Sequence, residues 1–235
     1  MIAVIPARYG STRFPGKPLA RISGVPMILR VAREATRIRG VDRVVVATDD
    51  RRILDCVLSG GYEAVITSKS HRSGTSRVAE VAAAYRYGLV LNIQGDEPLL
   101  PVGGVERLID AMKEDRRCLM GTLATPSTDA DALKSSDVVK VVTSRDGMAL
   151  YFSRSPVPGG KGKFLHHTGV YIFRRPFLLR YSSLPVGPLE KREGLEQLRA
   201  LENGFGIRVV TCRKKSLGVD RPGDIKRVEK EIKRG

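Results

Sequence analysis

Short, fully apolar segments alternate with amphipathic segments over the first half of the chain. The apolar runs, which predict buried strands, cover residues 2–5, 44–47, 64–67 and 89–93. Apolar positions three and four residues apart predict the helices between and after them, which begin at Pro26, near Arg51, before Val78 and before Val105. Buried strands separated by helices are typical of βαβ units. We therefore expect an α/β fold with a mostly parallel mixed sheet flanked by helices.

The pattern changes after Gly121. Apolar runs at residues 138–143 and 148–152 flank Asp146-Gly147, a dipeptide that favours a tight hairpin turn. The remaining predicted elements are strands at 164–173 and 206–212, and helices at 189–202 and around Val228. Residues 156–163 are predicted to form an exposed loop, and no repeat or linker is visible. The pattern predicts one domain over residues 1–235, with a small hairpin elaboration at approximately 138–173.

Composition narrows the classes of function. With 42% hydrophobic residues the chain can bury a core, which excludes a disordered protein. Its 41 Lys and Arg residues against 25 Asp and Glu residues give a net charge of +16. Such an excess predicts an anionic partner, and nucleic acid, a membrane surface and a phosphorylated small molecule all satisfy it.

Cysteine usage and hydropathy predict the compartment. The three cysteines are far apart and form no CxxC pair, which argues against a disulfide framework and a zinc ribbon. The apolar run at residues 1–6 has no basic leader or cleavage site, so it indicates a strand and not a signal peptide. No apolar stretch approaches the ~20 residues of a membrane span. We expect a soluble, cytoplasmic protein with no integral membrane association.

The segment PARYGSTRFPGKP at residues 6–18 carries the strongest chemical signal, because it lies between the first strand and the first helix. Loops at the carboxyl ends of strands build the ligand sites of open α/β sheets. Its glycines allow a phosphate chain to approach the backbone, and Arg8, Arg13 and Lys17 supply positive charge. The spacing matches neither a P-loop nor GxGxxG. An ordinary basic loop is the alternative interpretation.

Two carboxylate segments are candidates for a metal site. NIQGDEP at residues 92–98 follows a buried strand, where Asp96 can hold a magnesium ion that bridges phosphate oxygens. GVDRPGD at residues 218–224 precedes the last helix. The alternative for the first segment is a helix-capping turn, and Asp220 or Asp224 can likewise cap the last helix.

Other polar segments point to positioning rather than to a nucleophile. Ser73-Gly74-Thr75 precedes a helix, where a hydroxyl cap and free N–H groups can hold an anion or a base edge. His166 and His167 are adjacent on a predicted strand and face opposite sides, so they do not form a metal pair. Neither GxSxG nor a Cys–His arrangement is present. The basic segments at residues 213–215 and 226–234 suggest nucleic acid, but an evident base-stacking platform is lacking.

Eight motifs, in this order, strongly resemble the 3-deoxy-manno-octulosonate cytidylyltransferase family, the CMP-Kdo synthetases. They are PARYGSTR (6–13), PGKP (15–18), VATD (46–49), SGT (73–75), QGDEP (94–98), ALYFSR (149–154), LEQLR (195–199) and GVD (218–220). The resemblance implies a nucleotide-diphospho-sugar transferase-like fold, often as a homodimer built through the hairpin region. It also implies a reaction that joins CTP to 3-deoxy-D-manno-octulosonate (Kdo), with Mg²⁺, to give CMP-Kdo and pyrophosphate for lipopolysaccharide biosynthesis.

The resemblance also implies roles for individual residues. Those expected at the triphosphate are Arg8, Arg13 and Lys17, and those expected to hold magnesium are Asp96 and Asp220. These five are the expected catalytic residues. Those expected to frame the cytidine are Ala7, Ser73, Gly74, Thr75 and Arg77. Those expected to line the sugar pocket are Gln94, Arg154, His167, Glu196 and Gln197.

Two alternatives remain open at this point. A cytidylyltransferase for another acidic sugar, such as an 8-amino Kdo analogue or a sialic acid, would carry the same phosphate motifs. A nucleic-acid-binding module is the more distant alternative, and only the net charge of +16 supports it.

Overall fold

The structure, a computed structural model, describes residues 1–10, 14–160, 162–213 and 216–234. The chain divides into two compact units, Met1–Val102 with Ser216–Gly235, and Gly103–Lys215. The expectation of a single domain with a hairpin elaboration stays a prediction. Within the described ranges, every helix is too short or too polar to cross a bilayer.

The elements are numbered in chain order. The strands are β1 (Ile2–Ala7), β2 (Arg21–Ile22), β3 (Val25–Pro26), β4 (Arg43–Thr48), β5 (Glu63–Ile66), β6 (Leu89–Ile93), β7 (Met120–Ser127), β8 (Lys140–Thr143), β9 (Ala149–Ser153), β10 (Phe164–Arg174) and β11 (Ile207–Thr211). The α-helices are α1 (Met27–Thr36), α2 (Arg51–Ser59), α3 (Gly74–Ala84), α4 (Val102–Glu114), α5 (Ala130–Lys134), α6 (Arg175–Tyr181), α7 (Pro188–Glu193), α8 (Leu198–Glu202) and α9 (Asp224–Ile232).

The first unit is built on a parallel sheet in the order β6-β1-β4-β5. Helices α1, α2 and α3 pack on these strands. Residues 2–5 of β1 are fully buried, because a parallel strand covered on both faces has no polar side. The strands and helices predicted in this part of the chain are confirmed.

The register of this sheet places several chain segments at one edge. Pro6 pairs with Ala47 and Val4 pairs with Asn92, so β1, β4 and β6 all run toward the same edge. The segments that leave this edge after each strand contain Arg8, Asp49 and Asp96. Charged side chains from three distant parts of the sequence therefore leave one edge of the sheet.

The second unit has a mixed sheet. β10 pairs antiparallel with both β7 and β8, β7 pairs parallel with β11, and β8 pairs antiparallel with β9. The hairpin predicted at Asp146-Gly147 is confirmed, and Gly147 adopts a positive φ of 81° that suits glycine. The loop at residues 156–163 is mostly exposed, as expected, in its described part, which excludes Lys161.

The single helix predicted at residues 189–202 is wrong. The chain forms α7 and α8 instead, because Gly194 ends α7 in the left-handed conformation with φ 62°. Strand β7 was not predicted, since its sequence MGTLATPS mixes glycine, proline and hydroxyl side chains. A Cβ on Gly121 would lie 2.9 Å from the Leu108 side chain, so the glycine there makes room for helix α4. The short elements α5, α6, β2 and β3 were also not predicted.

Candidate active site

A cavity of about 360 Å³ opens at the carboxyl edge of the parallel sheet. It is lined by residues 6–8, 17–18, 71–74, 77 and 94–96. These segments lie at the end of β1 and after it, around the start of α3 and after β6, which is where α/β sheets bind ligands. The structure thus brings together Ala7, Arg8, Lys17, Gln94 and Asp96, which the sequence analysis had singled out separately.

The start of α3 forms one wall of this cavity. Ser73 is the helix cap, and its hydroxyl accepts a hydrogen bond from the Ser76 N–H at 3.2 Å, so the predicted cap is confirmed. A Cβ on Gly74 would lie only 3.3 Å from the Pro6 side chain and 3.7 Å from the amide oxygen of Gln94. Glycine therefore lets the N–H groups of the first turn come close to the sheet edge, where they suit an anion or a base edge.

Arg77 supports this wall through buried hydrogen bonds. Its side chain is almost fully buried, and its guanidinium donates to Asp49 at 2.7 Å and to the Thr67 hydroxyl at 2.5 Å. The Thr67 hydroxyl in turn donates to the Thr48 carbonyl at 3.1 Å. The buried guanidinium therefore joins α3 to the ends of β4 and β5. Sequence reasoning assigned no role to Asp49, although the residue lies directly after a buried strand.

A cation and two carboxylates meet beside the cavity. The Lys17 ammonium lies 2.5 Å from Asp96 Oδ2 and 3.8 Å from Asp220 Oδ1. Their side chains are 14%, 31% and 48% exposed, so the group is open to a ligand. Lys17 is on the short 3₁₀ helix Lys17–Leu19, Asp96 follows β6, and Asp220 precedes α9. The two carboxylate segments predicted from sequence are thus neighbours in the fold.

The capping alternatives for these segments are wrong. Gly223 is the N-cap of α9, without a side-chain cap, and Asp224 instead accepts hydrogen bonds from the N–H groups of Asp220 and Arg221. Helix α4 begins only at Val102, well beyond Asp96. Neither Asp96 nor Asp220 is therefore the N-cap of the helix that follows it.

The segment from Ser216 to Asp220 is held against the end of β6. The N–H of Val219 donates to the Asp96 carbonyl at 2.9 Å, and the Ser216 hydroxyl donates to a Glu97 carboxylate oxygen. A Cβ on Gly218 would lie 3.5 Å from Glu97. Burial, and then the negative charge of Asp96, raise the pKa of Glu97 to about 7. Sequence reasoning named Glu97 only as part of a motif. Its hydrogen-bond partner, Ser216, lies far along the chain, so no local pattern indicates the contact.

The expected sugar-binding residues belong to both units. Gln94 lines the cavity, and its amide nitrogen lies 3.4 Å from Oδ1 of the buried Asn92. Arg154, His167, Glu196 and Gln197 belong to the second unit, where they lie after β9, on β10 and before α8. The assembly of these five residues into one sugar pocket stays a prediction.

Arg154 is held in place by Glu193. The Glu193 carboxylate accepts from the Arg154 N–H at 2.8 Å, while the Glu193 carbonyl accepts from Arg154 Nε at 3.0 Å. The Ser136 carbonyl accepts from Arg154 Nη1 at 2.9 Å. Burial alone would raise the pKa of Glu193. The backbone N–H of Arg154, the hydroxyls of Ser153 and Tyr151 and the charge of Arg154 stabilise the carboxylate, so its pKa is lowered. Sequence reasoning missed Glu193, which supports an expected site residue through side chain and backbone.

His167 is buried, whereas Glu196 is partly exposed. His167 is 8% exposed as a residue, and its ring packs edge-on against Phe152 with Nε2 2.9 Å from the Thr122 hydroxyl. Burial, and then the charge of His166, lower the pKa of His167 to about 3, so the ring is neutral at physiological pH. The Glu196 carbonyl accepts a hydrogen bond from Tyr181 at 2.8 Å, and Gln197 is 5% exposed. Their contacts with a sugar stay predictions.

The comparisons with known proteins are consistent with this geometry. Residues 2–216 match the family described as cytidylyltransferase. A 3-deoxy-manno-octulosonate cytidylyltransferase from Syntrophotalea carbinolica is 49% identical, with 98% of each chain covered. Another, from Leptospira biflexa, is 46% identical, with 100% of this chain and 97% of the relative covered. The chain belongs to the 3-deoxy-manno-octulosonate cytidylyltransferase family.

Solved structures agree with this family assignment. A CMP:2-keto-3-deoxy-manno-octonic acid synthetase complexed with CTP superimposes with a TM-score of 0.94 at 40% identity, covering 99% of this chain and 98% of the other. HddC from Yersinia pseudotuberculosis superimposes with a TM-score of 0.73 at 14% identity, which shows a shared fold only. The predicted family and α/β fold are therefore confirmed, and the chain is a cytidylyltransferase.

The structure describes the expected catalytic residues of this cytidylyltransferase with one exception. Arg8 is exposed at the cavity, and Lys17, Asp96 and Asp220 form the charged group beside it. Arg13 lies outside the described residues, as do Lys214 and Lys215 of the basic segment. Ala7, Gly74 and Arg77 line the cavity as well, and Thr75 is buried in the first turn of α3.

Proposed function

We propose that the chain transfers the cytidylyl group of CTP to Kdo, giving CMP-Kdo and pyrophosphate, with Mg²⁺ held by Asp96 and Asp220. The observation that carries the proposal is the group formed by Lys17, Asp96 and Asp220 beside the cavity. The names of the relatives support CTP and Kdo as substrates. They do not favour another acidic sugar or a nucleic-acid-binding module.

The reaction is a displacement at phosphorus. The anomeric hydroxyl of Kdo attacks the α-phosphorus of CTP, the bond to the bridging oxygen breaks, and pyrophosphate leaves with that electron pair. The hydroxyl proton passes to solvent or base, so no covalent enzyme intermediate is required. The residues act by reducing repulsion between the nucleophile and the phosphate oxygens, a role for Arg8, Lys17 and Arg13.

The donor set suits magnesium. Asp96 and Asp220 present oxygen ligands near one ammonium group, and Mg²⁺ usually takes one or two carboxylates together with waters and substrate phosphates. Within the described ranges no three His, Cys, Asp or Glu side chains are arranged to hold a metal by themselves. When bound, the ion would offset the charge of the phosphate oxygens and stabilise the leaving pyrophosphate.

The nucleoside is assigned to the wall formed by Ala7 and the start of α3. The first turn of α3, after Ser73, suits the polar edge of a base, and Gly74 leaves room for a close approach. Arg77 fixes this wall through Asp49 and contributes its buried guanidinium to the cavity lining. Cytidine is thereby held at the same sheet edge as the phosphate-binding cations.

The sugar is assigned to Gln94 and to residues of the second unit. Kdo carries a carboxylate, and a guanidinium is its natural partner, a role for Arg154. His167 is neutral, so it is assigned a polar contact rather than a charged one. Glu196 and Gln197 complete the proposed pocket.

The proposal includes a cytoplasmic homodimer that supplies lipopolysaccharide biosynthesis. The homodimer is proposed from the family resemblance, which places the interface in the hairpin region. Light scattering of the purified chain tests this part of the proposal, and a monomeric mass would contradict it.

Pyrophosphate release tests the reaction. CTP and Mg²⁺ are held constant while Kdo, 8-amino Kdo, a sialic acid or no sugar is added, and each nucleoside triphosphate is compared in turn. Release that requires both CTP and Kdo is the expected result. Release only with another acidic sugar would show that this sugar, and not Kdo, is the substrate. No release under any combination would contradict the proposed transferase activity.

A further inference from the structure

The ring of Tyr9 lies close to both Gly16 and Arg52. A Cβ on Gly16 would lie 3.2 Å from three atoms of the Tyr9 side chain, and the Gly16 N–H donates to the Tyr9 carbonyl at 3.0 Å. Gly16 has a φ of 69°, a conformation that glycine adopts without strain. We call Gly16, Tyr9 and Arg52 the Tyr9 stack.

Asp50 holds the Arg52 guanidinium over the Tyr9 ring. The guanidinium carbon lies 3.4 Å from the Tyr9 ring centroid, and Arg52 Nε and Nη2 donate to the two Asp50 oxygens at 2.9 and 2.7 Å. Asp50 also caps α2 by accepting from the Arg52 N–H at 3.0 Å. The guanidinium therefore has a fixed orientation, and a cation over an aromatic face is an attractive contact.

The stack leads directly to the charged group of the site. Gly16 is the residue before the 3₁₀ helix Lys17–Leu19, and its carbonyl accepts from the Leu19 N–H at 2.9 Å. A shift of Gly16 would move Lys17 away from Asp96. The contacts thus connect α2 through Tyr9 to the ammonium group beside the cavity.

The exposure of the stack argues against a general structural role. The Arg52 side chain is 58% exposed and Tyr9 is only half-buried, and exposed charge contacts contribute little to the free energy of unfolding. Such a contact is strong enough to hold the end of a loop, although it adds little to the stability of the sheet.

We propose that Tyr9 and Arg52 are positioning residues that hold Lys17 in place for the triphosphate of CTP. This inference rests on the proposed function, because it takes CTP as the ligand of the cavity. It assigns Arg52, on a helix outside the cavity lining, to nucleotide affinity.

The chain provides a matched control for the test. Arg51 precedes Arg52 on α2 and is also exposed, so Arg51→Gln and Arg52→Gln remove the same charge from nearly the same place. Tyr9→Phe keeps the aromatic face, whereas Tyr9→Ala removes it. The dissociation constant for CTP is measured by calorimetry without sugar, and KM and kcat by pyrophosphate release.

We expect Arg52→Gln to raise the dissociation constant and the KM for CTP by about three- to fivefold. Tyr9→Ala should raise both by about tenfold, because it removes the ring contact with Gly16 as well. Tyr9→Phe and Arg51→Gln should match the unsubstituted chain. The kcat at saturating CTP, the KM for Kdo and the melting temperature should change little in Arg52→Gln.

Equal effects of Arg52→Gln and Arg51→Gln on CTP binding would overturn the inference, because they would show a long-range effect of charge alone. A fall in kcat or in melting temperature at unchanged CTP affinity would also overturn it. Arg52→Gln decides the question even if Tyr9→Ala does not fold. Failure of the proposed function appears differently, as absent pyrophosphate release in the unsubstituted chain, while calorimetry with CTP still tests the stack.

Discussion

The ammonium group of Lys17 lies 2.5 Å from one oxygen of Asp96 and 3.8 Å from one oxygen of Asp220. The two carboxylates and the ammonium group together carry a net charge of about −1. This net charge suits a divalent cation that arrives with a negatively charged nucleotide. The segment of Asp220 is tied to Asp96 by the Val219 N–H bond at 2.9 Å. The two carboxylates therefore keep their spacing through the backbone, and not only through the lysine.

Loss of either carboxylate should nearly abolish turnover. In Asp96→Asn and in Asp220→Asn we expect kcat/KM to fall by at least about a hundredfold, because each change removes the charge of a proposed metal ligand. Pyrophosphate release over a magnesium titration measures the effect. Urea unfolding should show losses of only about 1 kcal/mol or less, since partly exposed ion pairs contribute little to stability.

The exposed Asp55 on α2 is the control for this prediction. Asp55→Asn removes the same charge away from the cavity and should retain normal rates. Rates close to normal in both Asp96→Asn and Asp220→Asn would refute the metal assignment.

Gly95 should be required for the close approach of β1 and β6. A Cβ at this position would lie 2.9 Å from the Pro6 carbonyl oxygen, which belongs to the backbone and cannot rotate away. Gly95→Ala should therefore lower the free energy of unfolding by about 1 to 3 kcal/mol and raise the KM for CTP. Chemical denaturation and steady-state kinetics measure these changes.

Gly88 provides the comparison, because a Cβ there would meet no atom within 4 Å. Gly88→Ala should leave both quantities close to normal. If Gly95→Ala behaves like Gly88→Ala, the approach of the two strands is not limited by this contact.

Glu193 should control the affinity for the sugar. The Glu193 carboxylate and carbonyl accept from Arg154 at 2.8 and 3.0 Å, so Glu193→Ala removes the side-chain half of this support. We expect the KM for Kdo to rise by about tenfold while the KM for CTP stays nearly constant. Kinetics with each substrate varied in turn provide the measurement.

The matched control is Glu114→Ala, which removes an exposed carboxylate at the end of α4. It should change neither KM. Equal increases in both KM values in Glu193→Ala would indicate a general loss of structure instead of a loss of Arg154 positioning.

His167 should make the fold less stable in acid. Its pKa is lowered to about 3 by burial in the folded protein, whereas in the unfolded chain the ring takes up a proton below about pH 6.5. The unfolded state therefore binds more protons between these values, and the free energy of unfolding falls as the pH falls. Between about pH 6.5 and 4.5 the contribution of this ring is a loss of about 2 to 3 kcal/mol.

Urea unfolding of the unsubstituted chain and of His167→Asn, at about pH 7 and about pH 4.5, checks the sign. The variant loses stability at neutral pH, because the ring contacts with Phe152 and Thr122 are lost. It should lose less stability on acidification than the unsubstituted chain does. Parallel pH dependences of the two proteins would show that His167 titrates normally in the fold.

Local patterns identified most of the first unit. Residues 2–5 and 89–93 are short apolar runs between amphipathic helices, and such runs form buried parallel strands wherever both sheet faces are covered. The prediction of one helix at residues 189–202 was wrong because of Gly194. A glycine can occur inside a helix, so the sequence did not mark a break, but in the fold its φ of 62° ends α7. Strand β7 was missed because Gly121 is required by packing against Leu108 and Met112, which no local pattern encodes.

The sequence by itself determined the family, the α/β class and the residue types of the site, because eight ordered motifs and the apolar periodicity lie within short windows of the chain. Only the tertiary structure decided which of these residues are neighbours. Asp220 reaches Lys17, Ser216 reaches Glu97, and Arg77 reaches Asp49. These pairs are set by sheet register and by the return of the chain after residue 215, and such long-range distances are absent from any local pattern. The same holds for Arg52, whose contact with Tyr9 appears only in the fold, where α2 packs on β4 and β5.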